Sequence, residues 1–318
     1  MNPVANVVAV LTPNPAVDVT YRVAQQRVGH TQRVLDVTRR PGGKGVNVAR
    51  VLGSVGARSR CLLPLGGPAG RWLAAELAGL DVPATVVPLA GPTRTTVTVV
   101  DGVQHPTMFG EPGPAVSAAE WAAVTRAVPA DADAFVVAGS LPPGTDPELV
   151  GAWIRAAAVP AVADVTGPAL LVAAAAGAVC APNAQELLEA TGCASEQAGA
   201  GVLLERGAPL VVVSRGAAGL SAHTPGGQVH VPAVAGVSGN PTGAGDAATA
   251  GFVLATTRGL PTATALRWAA AFGAAAVLRP VAGEVDLAAL ARHLPELQLE
   301  LQLEPQLEPR PEPDGSPA

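Results

Sequence analysis

Of 318 residues only one, Lys44, is lysine; every other basic side chain is arginine. Acidic residues outnumber basic ones, 25 to 20, giving a net charge of -5, and no basic run carries interleaved aromatics. Both features exclude nucleic acid as a partner, because a polyanion would be repelled. Aromatics are scarce at 3%, and the three cysteines, Cys61, Cys180 and Cys193, show no CxxC spacing or histidine-rich neighbourhood. A disulfide framework and a zinc knuckle are thereby excluded, and a reducing cytoplasm fits. The longest uncharged stretches, Gly167 to Pro182 and Trp268 to Leu278, fall short of the roughly 20 residues a membrane helix needs. No membrane span is expected. The first apolar run, Val7 to Leu11, has no basic leader and stops at Pro13 and Asp18, so it reads as a buried strand rather than a signal peptide.

What remains is a chain 49% hydrophobic and only 14% charged, which places it among packed globular proteins. Its length allows two domains, or one large α/β domain with an appendage. Short Val-rich runs (Phe135 to Ala138, Ala161 to Asp164, Ala178 to Ala181, Leu210 to Val213) alternate with Ala/Leu segments of helical character. Continuous apolar strands between helices predict a mostly parallel sheet covered on both faces. Helix starts are signalled by Ser117 with Glu120, by Asp146-Pro147-Glu148 and by Ser195-Glu196, and Gly192 marks a helix end. Two segments, about 20–40 and 93–110, alternate in polarity and predict a small antiparallel sheet projecting as a lid. From residue 295 to 318 the composition turns to Pro, Glu, Gln and Leu, the signature of a disordered tail after a domain spanning 1–294.

Two constellations carry chemistry. Pro41-Gly42-Gly43-Lys44-Gly45-Val46-Asn47-Val48-Ala49-Arg50 sets three glycines before a helix, where exposed N–H groups and missing Cβ atoms admit an anionic or hydroxylated ligand. Its spacing matches neither the dinucleotide nor the P-loop pattern, so a nicotinamide-dependent dehydrogenase is excluded. The second is Thr242-Gly243-Ala244-Gly245-Asp246, which opens a small-residue helix. Unpaired N–H groups and the helix dipole there make a phosphate-sized anion hole, and Asp246 beside it suits a general base. The plain alternatives are a surface lysine beside a tight turn, and an aspartate that merely complements the dipole. Single pieces are weaker: Asn14-Pro15-Ala16-Val17-Asp18 puts a carboxylate just past the first strand. Ser140 follows another strand, Asn183 to Glu186 opens a helix at the sheet's carboxyl edge, and Ser214 to Gly219 follows a further strand.

In this order, from about Val7 to His293, these motifs together with Thr93-Arg94 resemble the PfkB (ribokinase-like) carbohydrate kinases. The GGKGxNVAR form and the NPxxD start are similar to the branch holding 1-phosphofructokinase and tagatose-6-phosphate kinase. The resemblance implies an α/β ribokinase-like three-layer fold with a projecting β-sheet lid, ATP as donor, Mg2+ as metal, and a homodimer formed through the lid. By motif, Asp246 is the proton acceptor, and Gly243, Ala244 and Gly245 form the anion hole. Asp18, Gly42, Gly43, Asn47 and Ser140 line the sugar; Lys44 and Arg94, with Arg33 from the lid, grip its phosphate, since a dianion wants paired cations. Asn183, Ser214, Gly216 and Gly219 serve the nucleotide and Glu186 the metal. The implied reaction is ATP-dependent phosphorylation of a phosphorylated ketohexose, first of all fructose 1-phosphate. Tagatose 6-phosphate or fructose 6-phosphate is the alternative acceptor. A non-catalytic sugar-phosphate-binding regulator is the alternative from another class.

Overall fold

The computed structural model describes residues 6–101, 106–295 and 297. Its first strand, β1 (Val7–Leu11), sends Val8 and Val10 into one core and Ala9 and Leu11 into another, on opposite faces of one sheet. A strand buried on both sides has to be apolar throughout, which accounts for the unbroken valine-rich runs. The chain leaves this sheet as β2 (Ala16–Val23), returns as β3 (Val34–Gly42), and continues through α1 (Lys44–Ser54), β4 (Arg58–Gly66), α2 (Gly67–Gly79) and β5 (Ala84–Leu89). It leaves again as β6 (Arg94–Val100) and β7 (Thr107–Gly110). Helix and strand then alternate: α3 (Ala118–Arg126), β8 (Ala134–Ala138), α4 (Glu148–Ala157), β9 (Ala161–Asp164), α5 (Pro168–Ala175), β10 (Val179–Cys180), α6 (Ala184–Thr191), α7 (Glu196–Arg206) and β11 (Val211–Ser214). A hairpin of β12 (Leu220–Thr224) and β13 (Gly227–Val231) precedes α8 (Ala244–Thr257), α9 (Thr262–Val277) and α10 (Leu287–His293).

The nine-stranded sheet has the order β13-β12-β11-β10-β9-β8-β1-β4-β5 and is parallel except at the β12–β13 edge. Helices α1, α8 and α9 cover one face and α3, α4, α5 and α7 the other, giving the expected three layers. With few aromatics available, the first core closes by letting helices approach. Gly251 of α8 faces the Phe272 ring of α9, and a Cβ there would stand 2.7 Å from it. The Ser117–Glu120 capping box forms at the start of α3, Ser195 caps α7, and Gly192 ends α6 in the left-handed region at φ 69°.

The lid is a second sheet of order β3-β2-β6-β7. It is mixed rather than antiparallel: its central pair, β2 with β6, runs parallel from Ala16–Arg94 to Arg22–Val100. Both strands leave the main sheet past the carboxyl ends of parallel strands, β1 and β5, so they set out in the same direction. Gly102 and His105 in the lid, and the tail expected from residue 295 apart from Pro295 and Leu297, lie outside the described residues. All three cysteines are free, and among the described residues no helix is long and apolar enough to cross a membrane.

Candidate active site

Because β1, β8, β9, β10 and β11 of the main sheet are parallel, the segments that follow them all emerge at one edge. That edge holds a cavity of about 230 Å³ lined by Lys44, Asp164, Glu186, Ser214, Gly243 and Asp246 among others. Residues more than 200 positions apart in the chain meet here.

Asp246 sits in the first turn of α8 and is only 7% exposed. Asn47 of α1 donates from Nδ2 to its Oδ2 at 2.8 Å. Burial, reinforced by the negative charge of Asp164, pushes the carboxyl up to about 7, while the Asn47 hydrogen bond and Lys44 pull the other way. A carboxylate that only complemented the dipole would face water; this one faces the cavity with its proton affinity set near neutrality. At the helix start Gly243 takes φ 81°, and a Cβ there would stand 2.7 Å from Ala282. Of the three expected anion-hole residues, Ala244 already turns its N–H to Pro241 O at 3.1 Å.

Lys44 opens α1, and its Nζ donates to Asp164 Oδ1 at 2.7 Å and to Glu186 Oε1 at 3.2 Å. Burial alone would lower its pKa, but these two carboxylates outweigh it and hold the ammonium above its ordinary value. Lys44 is therefore turned toward the acidic pair and Asp246, not toward Arg94. Arg94 donates to Asn14 O and Glu111 O, each at 3.1 Å. Asp18 lies on β2 itself, not in a turn; burial pushes its carboxyl up to about 6 against the opposing charges of Arg94 and Arg50. A Cβ on Gly42 would collide with this carboxylate, and Gly43 takes φ 104° as the cap of α1, so both glycines are required by close approach. Asn14 donates to Ser140 Oγ at 3.3 Å, tying the first and fourth sugar-side motifs together.

Arg33 is not brought to this group. It stands exposed before β3, and Val34 pairs with Val23, whereas Asp18 pairs with Arg40. At about 3.3 Å per residue the separation along the strand is roughly 20 Å. The lid arginine at the Asp18 end is Arg40, which binds Glu284 between Arg50 and Arg279.

On the other side, Asn183 and Glu186 form a second capping box: Asn183 Oδ1 accepts from Glu186 N and Glu186 Oε2 accepts from Asn183 N, both at 2.9 Å. Ser214 N donates to Pro182 O at 3.1 Å, joining this corner to the Ser214–Gly219 loop. Glu186 thus has one oxygen on the helix cap and the other on Lys44. Among the described residues no three His, Cys, Asp or Glu side chains cluster as a metal site. Asp164 and Glu186 remain a pair of hard oxygen donors, which suits Mg2+ held through one or two carboxylates with the phosphates of a substrate.

Sequence reasoning passed over Asp164, read only as the end of a strand. It is 5% exposed, and burial raises its pKa against the pull of Lys44. A charged residue closing an otherwise apolar buried run was the available signal. Glu284 was missed, and Arg50 was quoted in the glycine-loop motif without a role, because their pairing spans distant segments.

A family described as pfkB family carbohydrate kinase matches residues 11–288. The chain is 34% identical over 286 residues to the ATP-dependent 6-phosphofructokinase isozyme 2 of Mycobacterium tuberculosis, covering 85% of this chain and 84% of that one. It is 33% identical over 266 residues to the 1-phosphofructokinase of Haloferax volcanii, covering 81% and 86%. Among solved structures, phosphofructokinase-2 from Escherichia coli in complex with fructose-6-phosphate superposes with a TM-score of 0.82 at 26% identity, covering 92% of this chain and 99% of that one.

Proposed function

Because the chain belongs to the pfkB family of carbohydrate kinases, phosphotransferases that act on a sugar hydroxyl, we propose that it converts fructose 1-phosphate to fructose 1,6-bisphosphate with ATP. The observation that carries catalysis is the buried Asp246, held by Asn47 at the start of α8 beside Lys44. The choice of acceptor rests on the likeness of the GGKGxNVAR and NPxxD motifs to the 1-phosphofructokinase branch and on the relative named 1-phosphofructokinase.

In this reading Asp18 and Asn47 orient the sugar so that the reacting hydroxyl faces Asp246. The carboxylate takes the hydroxyl proton as the oxygen bonds to the γ-phosphorus; the bond to the β–γ bridging oxygen breaks, and ADP leaves. Main-chain donors at Gly243 and Gly245 and the ammonium of Lys44 meet the negative charge that accumulates on the migrating group. Asn183, Ser214, Gly216 and Gly219 hold the nucleotide. Asp164 and Glu186 would hold Mg2+, which supplies charge neutralisation on the phosphates. Since the base must be ionised, kcat/KM is expected to climb about tenfold per pH unit below pH 7 and to level off above it. In Asn47→Ala the inflection moves to higher pH, because the bond that lowers the Asp246 pKa is gone; a pH–rate profile of both proteins checks this.

A panel of fructose 1-phosphate, fructose 6-phosphate, tagatose 6-phosphate and free hexoses, assayed by ADP release, tests the acceptor. The highest kcat/KM on fructose 1-phosphate supports the reading. Preference for fructose 6-phosphate would transfer it to the second reading, which the similarity to a 6-phosphofructokinase favours.

The register puts Val37 and Phe109 on the same face of the lid, 43% and 62% exposed, an apolar pair that fits a second copy of the same lid. This supports the homodimer expected through the lid. Light scattering is expected to give twice the chain mass, reduced to the single-chain value in Phe109→Asp.

A further inference from the structure

The hairpin at the sheet edge carries a buried polar cluster that the catalytic reading leaves unused. Glu196, the first residue of α7, accepts from Ser221 Oγ and contacts His223 Nε2 at 2.9 Å through the same oxygen. Its other oxygen lies 3.8 Å from Arg215 Nε, and Arg215 Nη2 meets His230 Nδ1. Ser221 and His223 are 0% and 5% exposed, so polar groups have been buried here at a desolvation cost that their mutual bonds offset. Together these groups hold the Glu196 carboxyl below the usual carboxylate range, although burial acts the other way.

The register decides which way the cluster faces. Ser221 pairs with Val213 and His223 with Val211, whose side chains belong to the core beneath α7. Leu220 and Val212 point to the opposite face and line the cavity with Lys44 and Asp246. Arg215 lies between Ser214, which lines that cavity, and Gly216, and its own N–H closes the loop on Gly219 O at 2.9 Å. The guanidinium is thus an anchor reaching from the loop to the far side of the sheet.

We propose that Glu196, Arg215, His223 and His230 are positioning residues for the nucleotide: they fix the Ser214–Gly219 loop from behind and so set the affinity for ATP without touching it. The inference rests on the reading that this loop binds the nucleotide. Glu196→Gln and Arg215→Gln in the full chain are expected to raise the KM for ATP about tenfold, with kcat and the KM for fructose 1-phosphate within twofold of the parent. The double variant matches the single ones, since both remove one link. Arg215→Lys, which keeps the charge near Glu196, recovers part of the loss. Calorimetric titration with ATP–Mg reports the same change in Kd without reference to the sugar. His230→Gln, at an exposed position, repeats the test if Glu196→Gln fails to fold. An unchanged KM and Kd for ATP, or a parallel change in every parameter, overturns the proposal. Ser214→Trp separates the two readings: if it leaves ATP affinity intact, the nucleotide assignment of the loop falls. If it weakens ATP while the network variants do not, only the positioning role falls.

Discussion

Asp246→Asn is expected to lower kcat by about 10²–10⁴-fold while the KM for the sugar stays within twofold. The amide keeps the shape of the carboxyl and can still accept the bond from Asn47, so binding geometry is preserved and only proton acceptance is lost. Steady-state kinetics with product detection measures this; retention of more than a tenth of the parent rate would remove Asp246 as the base. Stability should move the other way. The folded-state pKa of Asp246 is raised from 3.8 to about 7, so its stability contribution is fully present below the unfolded value and is lost as pH rises through 7. Asp246→Asn is therefore expected to melt higher than the parent at pH 8, the difference shrinking toward pH 4. Such an exchange of stability for rate is the ordinary cost of a buried base.

Lys44→Met is the second large effect. The ammonium lies between Asp164, whose side chain is 6% exposed, and Glu186, at 17%. Removing it leaves a buried carboxylate without its cation, a loss of about 3 kcal/mol, the lower end for broken buried pairs because the Lys44 side chain is itself 33% exposed. Thermal melting should fall by several degrees. Turnover should fall by about 10²–10³-fold, as when one preorganised donor is removed from a reacting oxyanion. The pH inflection should shift upward, because Lys44 helps keep Asp246 ionised. A rise in the KM for the phosphorylated sugar with kcat unchanged would instead return Lys44 to gripping the substrate's own phosphate.

The residues readable in the chain were those whose backbone has an unusual requirement. Gly42, Gly43 and Gly243 stand where a Cβ would strike a neighbour or where φ is positive, and such positions leave a mark in sequence. The parallel sheet was legible because doubly buried strands cannot alternate in polarity. Glu284 carries no local mark, Asp164 only a charge closing an apolar run, and Arg50 only its place at the end of the glycine-loop motif; what makes each of them matter is a partner more than a hundred residues away. Lys44 shows the limit from the other side. Its importance could be read from its isolation among arginines, but whether its long side chain turned to the sugar or to the acids depended on where β9 ended. The parallel pairing inside the lid was illegible for a related reason, since each strand looks alike whichever way its neighbour runs.

The solitary lysine has a consequence beyond catalysis. Acylating agents, and any enzyme that tags proteins by building amide bonds onto lysine, find one such side chain in the whole sequence. That side chain is clamped between two acids inside the cavity. The other cationic side chains are guanidinium groups, to which that chemistry is blind, so whatever marks this lysine is expected to stop turnover as well.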